Sequence, residues 1–236
     1  MEKNKTGKYL KYAIGEILLV VIGILIALSI NNWNSQRLDA KKERRILLEI
    51  QENLKEDLQN IDAVLRYNDI KIKAIDSAYQ YMSMMNENPH LGQKFSYLIP
   101  VISSYELFSP IMVAFINMTS SGNIDILSSD DLRKQISRYY SNDGLEGIQG
   151  QLIVTTQSFL NEVAPKMMNK NMMKSNMNLD FDVISAEEIT VHKDPHVLSD
   201  LFVMKNKTLE HDRKLHKVTI EIKSIIESID DYIDEL

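Results

Sequence analysis

Three patterns of apolar and polar positions divide this chain. From Tyr12 to Ile30 the residues are apolar almost without interruption, and the one charge between Lys11 and Arg37 is Glu16. From residue 38 to 87 apolar residues recur at every third or fourth position, first through Leu47, Ile50, Leu54, Leu58, Ile61 and Leu65, then through Ile72, Ile75, Tyr79, Met82 and Met85. Asn68 interrupts that stripe, and Pro89 and Gly92 are the first breakers beyond it. From 195 to 236 another stripe runs through Leu198, Leu201, Leu215, Ile222, Ile225, Ile229 and Ile233. A period near 3.6 sustained over such lengths predicts long helices that each bury one face.

The middle of the chain is more broken. The apolar patch "FSYLIPVISSYELFSPIMVAFINMTSSG" contains Pro100 and Pro110, so short pieces are expected there. Ser109 before Pro110 predicts a helix start, and Gly122 predicts its stop. "SSDDLRKQISRYY" opens another helix, with Ser128 or Ser129 as cap and Asp130 and Asp131 favoured by the dipole of the first turn. Gly144, Gly147 and Gly150 predict a kink or break, and a helix over 149–164 is expected to stop at Pro165. Residues 166–195 read as irregular. The sequence has no βαβ alternation, hairpin series or internal repeat. The predicted fold is therefore all-α: a basic tail (1–11), a transmembrane helix (12–33) and an elongated antiparallel helical bundle (34–236). Its long helices are placed at about 38–87, 129–164 with a kink, and 195–236. A coiled coil is the alternative for 38–87, but its e and g charges are irregular, which favours packing on the later helices.

The apolar run from Tyr12 to Ile30 would form roughly 28 Å of helix at about 1.5 Å per residue, close to the thickness of a bilayer core. Tyr9 and Tyr12 flank one end and Trp33 the other, as expected for anchors in the two headgroup belts. A cleavable signal peptide is the rival reading, since Ala27 and Ser29 are small residues placed for cleavage. The apolar region is longer than signal peptides use, and Glu16 sits inside it, so an anchor is expected. Glu16, Val20, Gly23 and Ala27 share one helical face, and Gly23 with Ala27 forms a small-xxx-small pair that lets a second helix approach. A carboxylate on that face would bond across a homo-oligomer or to a partner membrane helix. The alternative is a Glu16 that tilts towards the headgroups. Lysines before the segment and Arg37, Lys41, Lys42, Arg44 and Arg45 after it nearly balance. Carrying a four-lysine tail across the bilayer is the less favourable choice, which places the large domain outside the cytoplasm.

Two blocks carry a family resemblance. "KYAIGEILLVVIGILIALSINNWN" (11–34) and "SSGNIDILSSDDLRKQISRYY" (120–140) resemble the signatures of an uncharacterised family of single-pass membrane proteins from Bacteroidota. The resemblance implies membrane location and a helical domain, and it supplies no activity.

Charge and candidate chemistry narrow the reading further. The formal net charge is −6, and past residue 33 the acids dominate more strongly, which argues against a nucleic-acid partner. Cysteine is absent, so disulfides, thiolate nucleophiles and cysteine zinc sites are excluded. Met167, Met168, Met172, Met173 and Met177 could offer thioethers to Cu(I), but adaptable apolar filler is the better account of them. His192 and His196 are separated by Pro195, and His211 and His216 do not share a helical face, so solvated helix ends are the expectation for these histidines. Asp130–Asp131 and Glu187–Glu188 are adjacent pairs that diverge on a helix and cannot act on one substrate. Tyr139, Tyr140 and the patch from Phe95 to Phe115 read as core or interface. No nucleophile elbow, phosphate loop or dinucleotide fingerprint occurs, so no enzyme and no cofactor is expected. The functional expectation is a membrane-anchored interaction or scaffolding module that self-associates, with the lipid bilayer and a second copy or partner membrane protein as its contacts. A small-ligand sensor is the second reading and a copper-binding protein a distant third.

Overall fold

The structure, a computed structural model, describes residues 5–120, 126–167 and 190–235; the side chains of 5–9, 11–13 and 235 lie outside that description. Among the described residues every regular element is helical and no strand occurs. The elements are α1 (Lys5–Met84), α2 (Leu91–Ser96), α3 (Ile99–Ile102), α4 (Val113–Ser120), α5 (Asp130–Tyr140), α6 (Glu146–Met167), a 3-10 turn (Val191–Lys193) and α7 (Pro195–Glu235).

The apolar run and the first stripe belong to one helix of 80 residues. No Gly or Pro separates them after Gly23, and the polar linker from Asn31 to Lys42 is itself compatible with helix. The two long helices α1 and α7 run antiparallel. Tyr232 on α7 donates to Glu43 (2.9 Å), Gln51 to Asp230 (2.6 Å), Asn68 to Asp212 (2.6 Å) and Tyr79 to the Leu198 carbonyl (3.0 Å), so partners descend α7 as α1 ascends. A Lys205–Asp76 ion pair fits the same register. Helix α6 also lies antiparallel against α7, with Ser158 bonded to Asp200 at 3.1 Å.

Burial follows the two stripes. Leu47, Ile50, Leu54 and Ile61 on α1 meet Leu215, Ile222, Ile225 and Ile229 on α7, joined by Ile136, Tyr139 and Tyr140 of α5, to form a first core. Farther along α1 and just past its end, Ile75, Ala78, Met82 and Met85 pack with Phe95, Ile102, Phe159, Val163 and Leu201 in a second core. Residues 14–38 of α1 touch neither core and are exposed on every face. This segment supplies the chain's candidate membrane span, apolar and entirely outside the folded domain.

Several local expectations resolve differently. Ser129, rather than Ser128, caps α5 by accepting from the Leu132 amide at 3.3 Å. Ser128 instead gives its amide (2.7 Å) and hydroxyl (3.1 Å) to Glu43. Pro110 does not start a helix, because α1 holds the next residue in an irregular strap: the Ile111 amide donates to Asp57 (2.9 Å) and its carbonyl accepts from Asn53 (3.3 Å). Of the kink or break expected near these glycines, the structure has the break, between α5 and α6, centred on a turn in which the Gly144 amide meets the Asn142 side chain at 2.8 Å. Gly147 and Gly150 lie inside α6, and Pro165 occupies its last turn, where Val163 and Met167 are drawn into the second core. Gly122, Glu187 and Glu188 lie outside the described residues.

The two stripes predict a simple contrast on α1. Ile50 is fully buried and Ile70 is 54% exposed. Ile50→Ala should cost about 2–5 kcal/mol and Ile70→Ala under about 1 kcal/mol, read as the shift in thermal unfolding of the full chain in detergent.

Candidate functional site

The membrane-compatible segment and the middle of the bundle are the two places where polar chemistry is unusual. Glu16, Val20, Gly23 and Ala27 all lie exposed on α1, and no other described part of the chain covers them. Open space surrounds Gly23, so the fold itself does not require a glycine there. Trp33 is exposed, with the Arg37 guanidinium 5.9 Å from its ring centroid. Tyr9 and Tyr12 sit on α1, but their side chains lie outside the described residues.

Between the two cores lies a polar layer. Asn68, the residue that interrupts the apolar stripe of α1, is buried and uses both N–H groups of its amide, one to Asp212 and one to Nδ1 of His211 at 3.2 Å. Because Nδ1 accepts from an amide, the ring proton belongs on Nε2, which faces Oε1 of Gln149 at 3.2 Å. Gln149 in turn accepts from the Phe108 amide (2.8 Å) and donates to the Phe108 carbonyl (3.2 Å). One chain of hydrogen bonds thus ties α1, α7, α6 and the strap around Phe108. His211 is therefore not a solvated helix end. It is fully buried, and a helix-face argument that compared it only with His216 had no way to find Asn68, which is distant in sequence. Burial, aided by the charge of Lys214, lowers its pKa to about 4.

Two further buried groups border this layer. Lys71, 1% exposed, donates to the Ser104 carbonyl (2.7 Å) and lies 3.3 Å from the Thr156 hydroxyl. Burial lowers its pKa to about 8. Asp57, also fully buried, accepts from the Tyr139 hydroxyl at 2.7 Å as well as from Ile111. Its desolvation outweighs those two bonds and raises its pKa. Tyr139 is raised as well, by burial first and then by its bond to Asp57.

Tyr139 and Tyr140 form the floor of a cleft of about 670 Å³. Phe108, Met112 and Val218 contribute apolar wall, while Asp143, Lys217 and Glu221 stand among its polar lining. Tyr140 stacks on Phe115 with centroids 4.6 Å apart and meets Tyr139 edge-on at 4.9 Å. Its hydroxyl is buried and has no hydrogen-bond partner among the described residues. The sequence placed both tyrosines in a core or interface, and they prove to be core residues that also line an opening.

The remaining candidates are dispersed. Met167 packs in the second core beside Phe159 and Val163; Met168, Met172, Met173 and Met177 lie outside the described residues. His192 bonds Asn86 at 2.8 Å. Among the described residues no group of three or more His, Asp or Glu side chains is placed to hold a metal ion.

The buried histidine generates a pH prediction. Above pH 6.5 His211 is neutral both folded and unfolded, and its contribution is complete. As pH falls from 6.5 towards 4 the unfolded chain takes up the proton first, and about 3 kcal/mol of stability is lost. Subtracting the stability profile of His211→Gln from that of the parent should expose this slope; a flat difference would show that the imidazole is not held neutral.

A family described as one of unknown function (DUF6090) matches residues 16–190. No curated protein and no solved structure matches the chain. The match spans well over half of the sequence, beginning at Glu16 and running through α1 to α6 and beyond, and the chain belongs to that family.

Proposed function

We propose that this member of the DUF6090 family is a single-pass protein of the bacterial inner membrane, working without catalysis as an interaction or scaffolding module and self-associating through its membrane helix. The large domain is placed outside the cytoplasm. The observation that carries the reading is how the apolar surface of α1 is distributed. The stripe over residues 47–85 and its counterpart on α7 are spent on the chain's own two cores. Residues 14–30, equally apolar, are covered by no other described residues. A bilayer accounts for that surface, because a helix of this length satisfies its own backbone in hydrocarbon. The contact left for a second copy is the face of Glu16, Gly23 and Ala27, not a coiled coil along 47–85.

Gly23 allows a clean test, since a Cβ added there has nothing within 4 Å beyond its own helix backbone and chain neighbours among the described residues. Gly23→Ile should weaken association in the membrane by about 1 kcal/mol, roughly fivefold in the dimer constant. Glu16→Gln should weaken it less, because the amide still bonds across the interface. Crosslinking of the full chain in native membranes reads both, and a parent that is monomeric at every protein-to-lipid ratio would refute the self-association.

The buried, unpartnered Tyr140 hydroxyl beside the cleft favours a second reading, a small-ligand sensor. A buried hydroxyl without a partner costs about 1–3 kcal/mol, and a ligand reaching it would offset that cost. Its signal would pass to α1 through Tyr139 and Asp57. Val218→Trp fills the cleft, so compounds that raise the melting temperature of the parent chain and not of this variant occupy it. A diverse library yielding none would end this reading.

A further inference from the structure

We propose that the outward face of α1 from Trp33 to Arg45 is a binding site for anionic lipid headgroups. The inference rests on the membrane reading of residues 12–33 and goes beyond it by assigning a ligand class to the helix just past the span.

The argument begins with how charge is sorted around the helix. At about 100° per residue, Trp33, Arg37, Lys41 and Arg45 descend one side of α1, while Arg44, at the edge of that side, donates to the Ile233 carbonyl of α7 (3.4 Å). The core residues Ile46 and Ile50 project from the opposite side. The two acids of this stretch, Asp39 and Glu43, also fall on the core side. Glu43 is 2% exposed and is occupied by Ser128 and by the Tyr232 hydroxyl, so it does not neutralise the basic face. Arg37, Lys41 and Arg45 are exposed. The one ion pair among them, Arg45 to Glu49, is 3.9 Å long between largely exposed side chains and leaves the guanidinium open to exchange its partner.

Position along the axis supplies the second part. Trp33 marks the level where the apolar run gives way to polar residues, and its indole suits the headgroup boundary. Arg37, Lys41 and Arg45 follow at about 6, 12 and 18 Å beyond it along the helix axis. Long basic side chains reach back along a helix towards the interface, so Arg37 and Lys41 fall within the layer of lipid phosphates and Arg45 at its outer edge. The guanidinium of Arg37 is already positioned over the Trp33 ring, which presents its donors at that level. A basic face is out of character for a chain of formal net charge −6, and it occurs where the helix leaves the apolar run. A lipid phosphate is the anion that this location supplies.

Trp33 is the single tryptophan of the chain and therefore reports on its own surroundings. The full chain is reconstituted in phosphatidylcholine vesicles containing the same minor fraction of lipid brominated near the top of its acyl chains, carried either on phosphatidylglycerol or on phosphatidylcholine. Headgroup binding predicts that the phosphatidylglycerol form quenches Trp33 roughly threefold more effectively, a preference that high salt removes. In the triple variant Arg37→Gln, Lys41→Gln, Arg45→Gln the ratio should fall to one while total quenching persists. Equal quenching of the parent by the two lipids, or a preference unchanged in the variant, overturns the headgroup site and leaves the membrane anchor standing. No quenching by either lipid overturns the anchor itself and the headgroup site with it.

Discussion

The hydrogen-bond chain from Asn68 through His211 to Gln149 is the constraint on which the rest of the bundle depends. Apolar stripes can slide by a turn and still bury similar area, because Leu, Ile and Met are interchangeable partners at that level. A buried amide and imidazole cannot slide. A shift of one helical turn between α1 and α7 would leave Asn68, His211 and Asp212 without partners, each at a cost of about 1–3 kcal/mol. The polar layer thus sets the antiparallel register, and the apolar cores on either side supply the driving force that the layer itself lacks.

The same layer places everything near it. Gln149 clasps both backbone groups of Phe108, and Asp57 and Asn53 hold Ile111, so the segment between them is a strap pinned to α1 at one end and α6 at the other. The strap carries Phe108 and Met112 into one wall of the cleft, whose floor is Tyr139 bonded to Asp57. Events at the cleft floor are therefore one hydrogen bond away from α1. α1 is a single helix from Lys5 to Met84, so residues 14–38 continue the same rod that carries Asp57. Glu43 strengthens this link near the far end of the bundle, joining α1 to the start of α5 and the end of α7.

Both readings of function use this rod, in opposite directions. In the scaffold reading, contacts made by Glu16 and Gly23 in the membrane position the bundle. In the sensor reading, a ligand on Tyr140 would alter the rod. What separates them is where unsatisfied surface remains: an entire apolar helix on one side, and one hydroxyl beside a cleft on the other.

The sequence by itself determined the long helices and the apolar segment near the N-terminus, because helical period, a serine cap before Asp130 and hydropathy are local properties that neighbouring residues decide together. The stripes named the core: Leu47, Ile50, Ile75, Leu201 and Ile222 are all buried as their spacing implies. Asn68 was visible as an interruption, yet its meaning was not, since its partners His211 and Asp212 are more than 140 positions away. Pro110 and Pro165 behaved against local rules for the same reason: Asp57 holds the residue after one, and the second core draws in the helix around the other. The cleft and the orphaned hydroxyl of Tyr140 arise where α5, α7 and the strap meet, and no local pattern encodes such a meeting. Only the tertiary structure decided which polar residues would be buried together, because the cost of burying each one depends on a partner that the linear chain does not place beside it.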